Sequence, residues 1–478
     1  MNSRFQIHSL FALLFAGLLL VGSTNATAEP AEGPEPIRVT LAPMPEPRPA
    51  LKYRFTYSPL ELRPGNAAVI YTKVGIELVR YSRDAGEQQQ IIDWLRMPLE
   101  EFPREQARRL LNERAWIMNE VKRAARMQAA EWQPSLDEYT PFTTRWPEVL
   151  QARDMGRLLA IEAKLAILEG RYDDAIESIR AGYALGRHLA ERPMLVSGLV
   201  GRAVVDLMSQ QVRNLIQQPD APNLYWALAT MPQPYIEMTA ALETEMGVLE
   251  RWIPELEAFR QQTGSAEAAS HVWDRLAEEL PTLFSEDPPY LLSDPVRTRA
   301  VLAAWGIRDY PRARRELIEV GYPSEKVDAM SVPQVMLLWD YRNYVALRDD
   351  YSKWILLPAR ERVLFRERSE NLLPPGTVDT VGSTPLSTFA HWAFLPPSVI
   401  ASAFADSGIA QLRLFEALRL HGAHTGGGLP ASLDEITVVP VPDDPATGEP
   451  FRYRLEDGLG LLEGARYPGE RYEIRLVR

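Results

Sequence analysis

The sequence predicts a mainly α protein, an irregular helical-hairpin solenoid or bundle with a small C-terminal α+β module. Three observations lead there. From about residue 66 to about 371, apolar residues recur at helical spacing, and no stretch alternates in the sustained way of a strand. Prolines such as Pro98, Pro134, Pro147, Pro193, Pro222, Pro288 and Pro358 fall mostly between the periodic segments, where helix ends belong. Near the C-terminus, Phe451-Arg452-Tyr453-Arg454 and 472–477 alternate instead, as short strands do.

Taken in order, residues 1–28 read as a secretory signal. Arg4 supplies the positive start, Leu10 to Val21 form the apolar run, and Ala26-Thr27-Ala28 fits the cleavage pattern. That run is far shorter than the roughly 20 residues that span a bilayer, so membrane attachment is expected only through an uncleaved signal. Residues 29–50 carry Pro30, Pro34, Pro36, Pro43, Pro45, Pro47 and Pro49, and predict a stiff, extended linker. A helical domain follows over 51–371. Asn66 is placed to cap its first helix, and further helices are expected over about 104–127, 148–169, 171–190, 195–217, 235–262, 267–284, 296–321 and 332–356. A second linker over 372–390 contains Pro374-Pro375-Gly376. The α+β module, 391–478, opens on a helix from about Ser398 to Gly422 and breaks at Gly426-Gly427-Gly428.

Composition narrows the chemistry. The 478 residues include no cysteine, which removes disulfides, thiol catalysis and cysteine-bound metals. The formal net charge is −12, and one unit more negative once Arg4 leaves with the signal. That balance disfavours nucleic acid and anionic lipid as general partners.

One hairpin has a recognisable pattern. Ala163, Gly170, Tyr172, Ala175 and Ile179 resemble a tetratricopeptide helix–turn–helix, in which small residues let two helices approach and a glycine makes the turn. On a larger scale, five phrases resemble a family of uncharacterised exported bacterial proteins. They are Pro64-Gly65-Asn66-Ala67-Ala68, Pro222-Asn223-Leu224-Tyr225-Trp226-Ala227-Leu228, Glu416-Ala417-Leu418-Arg419-Leu420, Leu429-Pro430-Ala431-Ser432-Leu433-Asp434-Glu435 and the run from Asp444-Pro445-Ala446 to Tyr453. The resemblance implies export and a shared architecture, and no activity. The C-terminal phrase also resembles, more loosely, the soluble end of pilin-like secretion subunits, but residues 1–28 lack the acidic residue of a pilin start.

No residue earns a catalytic, cofactor or metal assignment. His421 and His424 share a helix end, where histidine complements the macrodipole; with no longer metal motif beside them, that reading is taken ahead of a metal pair. Asp443, Asp444 and Thr447 offer oxygens to Ca²⁺, but Asp-Pro and Gly448 read more simply as an Asx turn. Glu243, Glu245, Glu250, Glu255 and Glu257 interleave with apolar residues at helical spacing, so a solvated face is expected before an acid–base pair. Ser197 lacks the glycines of a nucleophile elbow, and the triple glycine lacks a following lysine. Aromatic residues including Tyr225, Trp226, Trp252, Trp305 and Trp339 are expected in cores, with a peptide or glycan groove as the other reading.

The expectation is therefore a non-enzymatic exported scaffold that binds protein or peptide partners in the cell envelope, its arginines capturing acidic groups. An envelope hydrolase acting on glycans, with carboxylates assembled by the fold, is the alternative. A secretion-associated subunit built around the C-terminal module is a third.

Overall fold

The computed structural model describes residues 35–81, 85–133, 147–261, 264–283, 293–355, 357, 361, 385–386, 396–463 and 471–477. The signal assigned to 1–28 lies outside the described residues, as does nearly all of the 372–390 linker.

The protein is mainly helical, with a small C-terminal sheet. Three helices, α5 (Pro147–Leu168), α6 (Tyr172–Ala190) and α7 (Leu195–Ile216), pack mutually at its centre. Helix α5 buries residues on nearly every side, from Val149 to Ile167, as a helix covered on several faces must. The turn into α6 is the tetratricopeptide-like one. Gly170 takes φ +70, its N–H bonds to Ile167 O at 3.1 Å, and Arg171 N–H reaches back to Ala166 O at 2.9 Å. This is a Schellman closure, which satisfies carbonyls that the helix end leaves open. Ala163, Ala175 and Ile179 are fully buried at the contact. At the next crossing, α6 and α7 meet backbone to backbone: a Cβ on Gly201 would stand 2.5 Å from Gly186 O.

The N-terminal helices α1 (Ala67–Tyr81), α2 (Ala85–Arg96), α3 (Arg104–Glu113) and α4 (Ala115–Ala125) lie against this trio. Asn66 caps α1 as expected, its Oδ1 accepting Ala68 N–H at 3.0 Å. The single helix expected over 104–127 is broken at Arg114. Lys164 is buried in α5 and donates to Trp94 O at 2.8 Å and Met97 O at 2.5 Å, closing the C-terminus of α2. A cation there meets both the open carbonyls and the negative end of the helix dipole.

Beyond the two alternating C-terminal runs, strands also form where the sequence reading placed none. Residues Ile37–Leu41 (β1) lie within the stretch expected to be only a proline-rich linker, and pair parallel with β6 (Arg471–Leu476). The sheet order is β1-β6-β5-β4, with β4 (Tyr453–Glu456) and β5 (Leu459–Glu463) forming an antiparallel hairpin beside β6. A second parallel pair, β2 (Arg63–Asn66) and β3 (Met127–Ala129), brackets α1–α4, and β3 adds a strand to the stretch after Asn66 that was read as all helical. β2 is too short for periodicity to declare it, whereas Ile37-Arg38-Val39-Thr40-Leu41 does alternate and is overshadowed by the prolines on either side.

The hydrophobic cores also cross the expected boundaries. One cluster runs from Val39 through the α5–α7 trio to Leu242, then resumes at Ala405 and continues to Ile474. It takes in the long helix α16 (Pro396–Thr425), whose Leu414, Phe415, Ala417 and Leu418 are fully buried. The C-terminal module thus shares its core with the first half of the helical domain. Short helices α8 (Tyr225–Ala229) and α9 (Thr239–Met246) lead out of that core. A second cluster, Val248 to Tyr344 with Leu386, is built by α12 (Ala266–Leu283), α13 (Pro295–Glu319) and α15 (Val332–Ile355). The expected helix over 235–262 divides into α9, α10 (Val248–Trp252) and α11 (Leu256–Arg260), interrupted at Gly247 and near Pro254. Helix α14 (Ser324–Asp328) closes the turn between α13 and α15. Among the described residues, no helix is long and apolar enough to cross a membrane.

Candidate functional site

Two polar assemblies stand out, one sealed and one open. The sealed one joins the phrases that the sequence singled out. Glu416 and Arg419, one turn apart on α16, are fully buried and paired at 3.0 Å. Arg419 also donates to Ala42 O at 3.0 Å and Ala221 O at 2.7 Å, while Leu224 N–H donates to Glu416 Oε1 at 3.0 Å. Asn223 Nδ2 reaches Glu416 O at 3.1 Å, and Met44 N–H reaches Arg419 O at 3.1 Å. Burial raises the Glu416 carboxyl above its ordinary range against the pull of Arg419. Every polar edge here meets protein, so the cluster can hold segments together and cannot meet a ligand. It ties the N-terminal strand, the 221–224 loop and α16 at one point.

Close by, Tyr225 O–H donates to Pro440 O at 2.5 Å and Tyr453 O–H to Pro430 O at 2.9 Å. Asp444 accepts from Ser407 Oγ at 2.5 Å and from Ala446 N–H at 3.0 Å, and Gly448 takes φ +72. The 443–448 loop is therefore an Asx turn whose carboxylate is spent on the fold. The family-like phrases are mostly the joints of the architecture.

The open assembly is a cleft of about 450 Å³ between the end of α2, the first half of α5 and the 203–213 stretch of α7. Arg96, Arg153, Arg157 and Arg213 line it, with Asp206 and Gln210. Helical spacing explains the convergence: Arg153 and Arg157 are one turn apart on α5, while Ala203, Asp206, Leu207, Gln210 and Arg213 follow one face of α7. Ile92, Leu95 and Leu207 set apolar surface among the charges.

Countercharge is scarce there. Asp154 holds Arg157 at 3.0 Å but stands 4.0 Å from Arg153, and Asp206 faces Arg202 at 3.7 Å. Arg213 lies over the Tyr472 ring at 5.6 Å. The Nε–H groups of Arg153 and Arg213 are buried without an acceptor. Burial, and then the like charge of Arg157, lowers the Arg153 pKa to about 10. Arginine normally keeps its proton far more firmly; a carboxylate placed beside Arg153 would offset both causes.

The remaining sequence candidates are placed apart from this cleft. His421 is buried and His424 exposed, with His424 Nδ1 at 2.9 Å from Leu420 O. No group of three His, Asp or Glu side chains among the described residues is arranged to hold a metal ion. Glu250 accepts from Tyr341 O–H at 3.0 Å and from Arg348 at 2.6 Å. A hydrogen bond from Arg260 lowers the Glu257 carboxyl to about 2, and Glu243 is exposed. Ser197 is fully buried. Tyr225, Trp252, Trp305 and Trp339 are core residues, and Gly426 and Gly427 end α16 at positive φ. The arginine cleft escaped sequence reading because its members lie on three helices. The available signal was Arg153 and Arg157, one turn apart on a helix whose other residues are mostly buried.

Comparison with known proteins finds no matching family, no similar curated protein and no similar solved structure.

Proposed function

We propose that this chain is an exported helical scaffold of the cell envelope that binds a protein or peptide partner through acidic side chains. The observation that carries the reading is the cleft between α2, α5 and α7, where four arginines are met by one lining carboxylate. Guanidinium forks match carboxylates in geometry, and partial burial strengthens each contact. The signal-like segment at 1–28 supports export, and the helical packing around the cleft supplies a rigid frame for a binding surface.

The test is site-directed capture. A photo-crosslinking residue at Gln210, in the mature chain 29–478 within its native envelope, is expected to capture a reproducible protein partner. A crosslinker at exposed Ile307 serves as control. Recovery of the uncrosslinked protein alone from Gln210, or the same adducts from both positions, would reject the scaffold reading.

A further inference from the structure

The cleft between α2, α5 and α7 has a shape and a charge that together restrict its occupant. Its α7 wall runs from Ala203 to Arg213. Ten residues of helix extend about 15 Å, so the cleft of about 450 Å³ is lined along about three turns of α7, and that wall is the trough's long side. Counting the lining groups and their direct ion-pair partners, five guanidiniums face two carboxylates, an excess of three positive charges.

The arginines are distributed along the trough. Arg213 lies at one end of the α7 wall, two turns beyond Asp206; Arg153 and Arg157 stand on α5, and Arg96 closes α2. A single tetrahedral anion neutralises charges that converge on one point. Charges spread along a trough fit carboxylates spaced along a chain, each meeting its own guanidinium fork. Between them Ile92, Leu95 and Leu207 offer apolar contact suited to the methylenes that carry such groups.

We infer that this trough binds an extended peptide segment bearing two or three carboxylates, seated on Arg153, Arg157 and Arg213. The inference rests on the peptide-binding reading above and names the chemistry of its ligand.

The experiment is titration calorimetry on the mature chain, 29–478, at low salt. The probes are acetylated triglutamate amide, citrate of comparable charge, and inorganic phosphate. Triglutamate is expected to bind saturably at one site, more tightly than citrate or phosphate, and to weaken as salt rises. Arg153→Gln and Arg213→Gln should each weaken it by about tenfold, the loss of roughly one charge-assisted contact. Arg153→Lys keeps the charge without the fork and should recover part of that loss. Thermal melts confirm that each variant is folded, and a melting-temperature rise on adding triglutamate gives a second readout. No saturable triglutamate binding, binding unchanged in folded variants, or equal affinity for citrate or phosphate would overturn the inference. Because crosslinking capture reads partners and calorimetry reads ligand chemistry, triglutamate binding without a captured protein would reject only the scaffold reading.

Discussion

Substituting Glu416 by Gln keeps the side chain's length but removes the charge facing Arg419, whose guanidinium is fully buried. An uncompensated buried cation is among the largest single costs a fold meets, about 3–5 kcal/mol. Glu416→Gln is therefore expected to lose about that much in urea denaturation, whereas Glu416→Leu with Arg419→Met, which removes both charges, should lose less. Equal losses would mean that the hydrogen bonds to 42, 221 and 224, and not the charge, make the joint. His188 gives a pH-dependent counterpart. Burial lowers its pKa from 6.5 to about 4, and its Nδ1 lies 3.1 Å from Tyr71 O–H. The unfolded chain takes up a proton below pH 6.5 that the folded chain refuses until about pH 4. Its contribution is thus complete above the unfolded value and falls as pH drops through that window, by about 3 kcal/mol in all. Relative to wild type, His188→Gln should be less destabilised on going from pH 7 to pH 5. A parallel pH dependence in the two proteins would show that His188 does not carry the effect. The sequence marked Glu416 and Arg419 through a phrase that resembles a family of exported proteins, but their partners at 42 and 221–224 lie far away in the chain, and no local pattern names them.

At the scale of elements, close approach and capping decide where helices sit. Gly186 and Gly201 let α6 and α7 cross backbone to backbone, and a methyl group at Gly201 would be forced to 2.5 Å from a carbonyl oxygen that has no side chain to move aside. Gly201→Ala should therefore cost about 1–3 kcal/mol, in line with overpacked cores, despite alanine's higher helix propensity. An unchanged or raised melting temperature would show that the helices slide apart freely. The α5–α6 turn was legible because Gly170, Ala163 and Ala175 each announce a geometric need. The break between α3 and α4 was not, since Arg114 is neither glycine nor proline. Its guanidinium is buried, donates to Leu110 O and Glu87, and lies 4.7 Å from the Tyr81 ring centre. Tertiary partners set that side chain's position, and they override a continuous helical pattern. β2 and β3 were hidden for a similar reason: three or four residues carry too little periodicity, and their pairing partners are distant, whereas the alternation of Ile37-Arg38-Val39-Thr40-Leu41 was present but overshadowed by the prolines on either side.

For the molecule as a whole, the joining of the N-terminal strand to the C-terminal sheet has the widest consequence. β1 runs parallel to β6, Val39 and Leu41 are buried in the first core, and Arg419 holds Ala42 O. The first core therefore depends on both ends of the described chain, while the second, from Val248 to Tyr344 with Leu386, contains neither. This division predicts the response to Val39→Asp, which buries an unpaired carboxylate beside β6. Hydrogen exchange should show protection lost in β5, β6 and α16, with protection in α12, α13 and α15 largely kept. Uniform loss across both regions would mean that the cores unfold as one cooperative unit. The same comparison bears on the arginine trough, since its α7 wall belongs to the first core and Arg213 rests on Tyr472 of β6. If strand docking sets the pose of Arg213, Val39→Asp should weaken triglutamate binding under conditions where α5, α6 and α7 remain protected. Full affinity in that state would show that the trough is held by the helices alone.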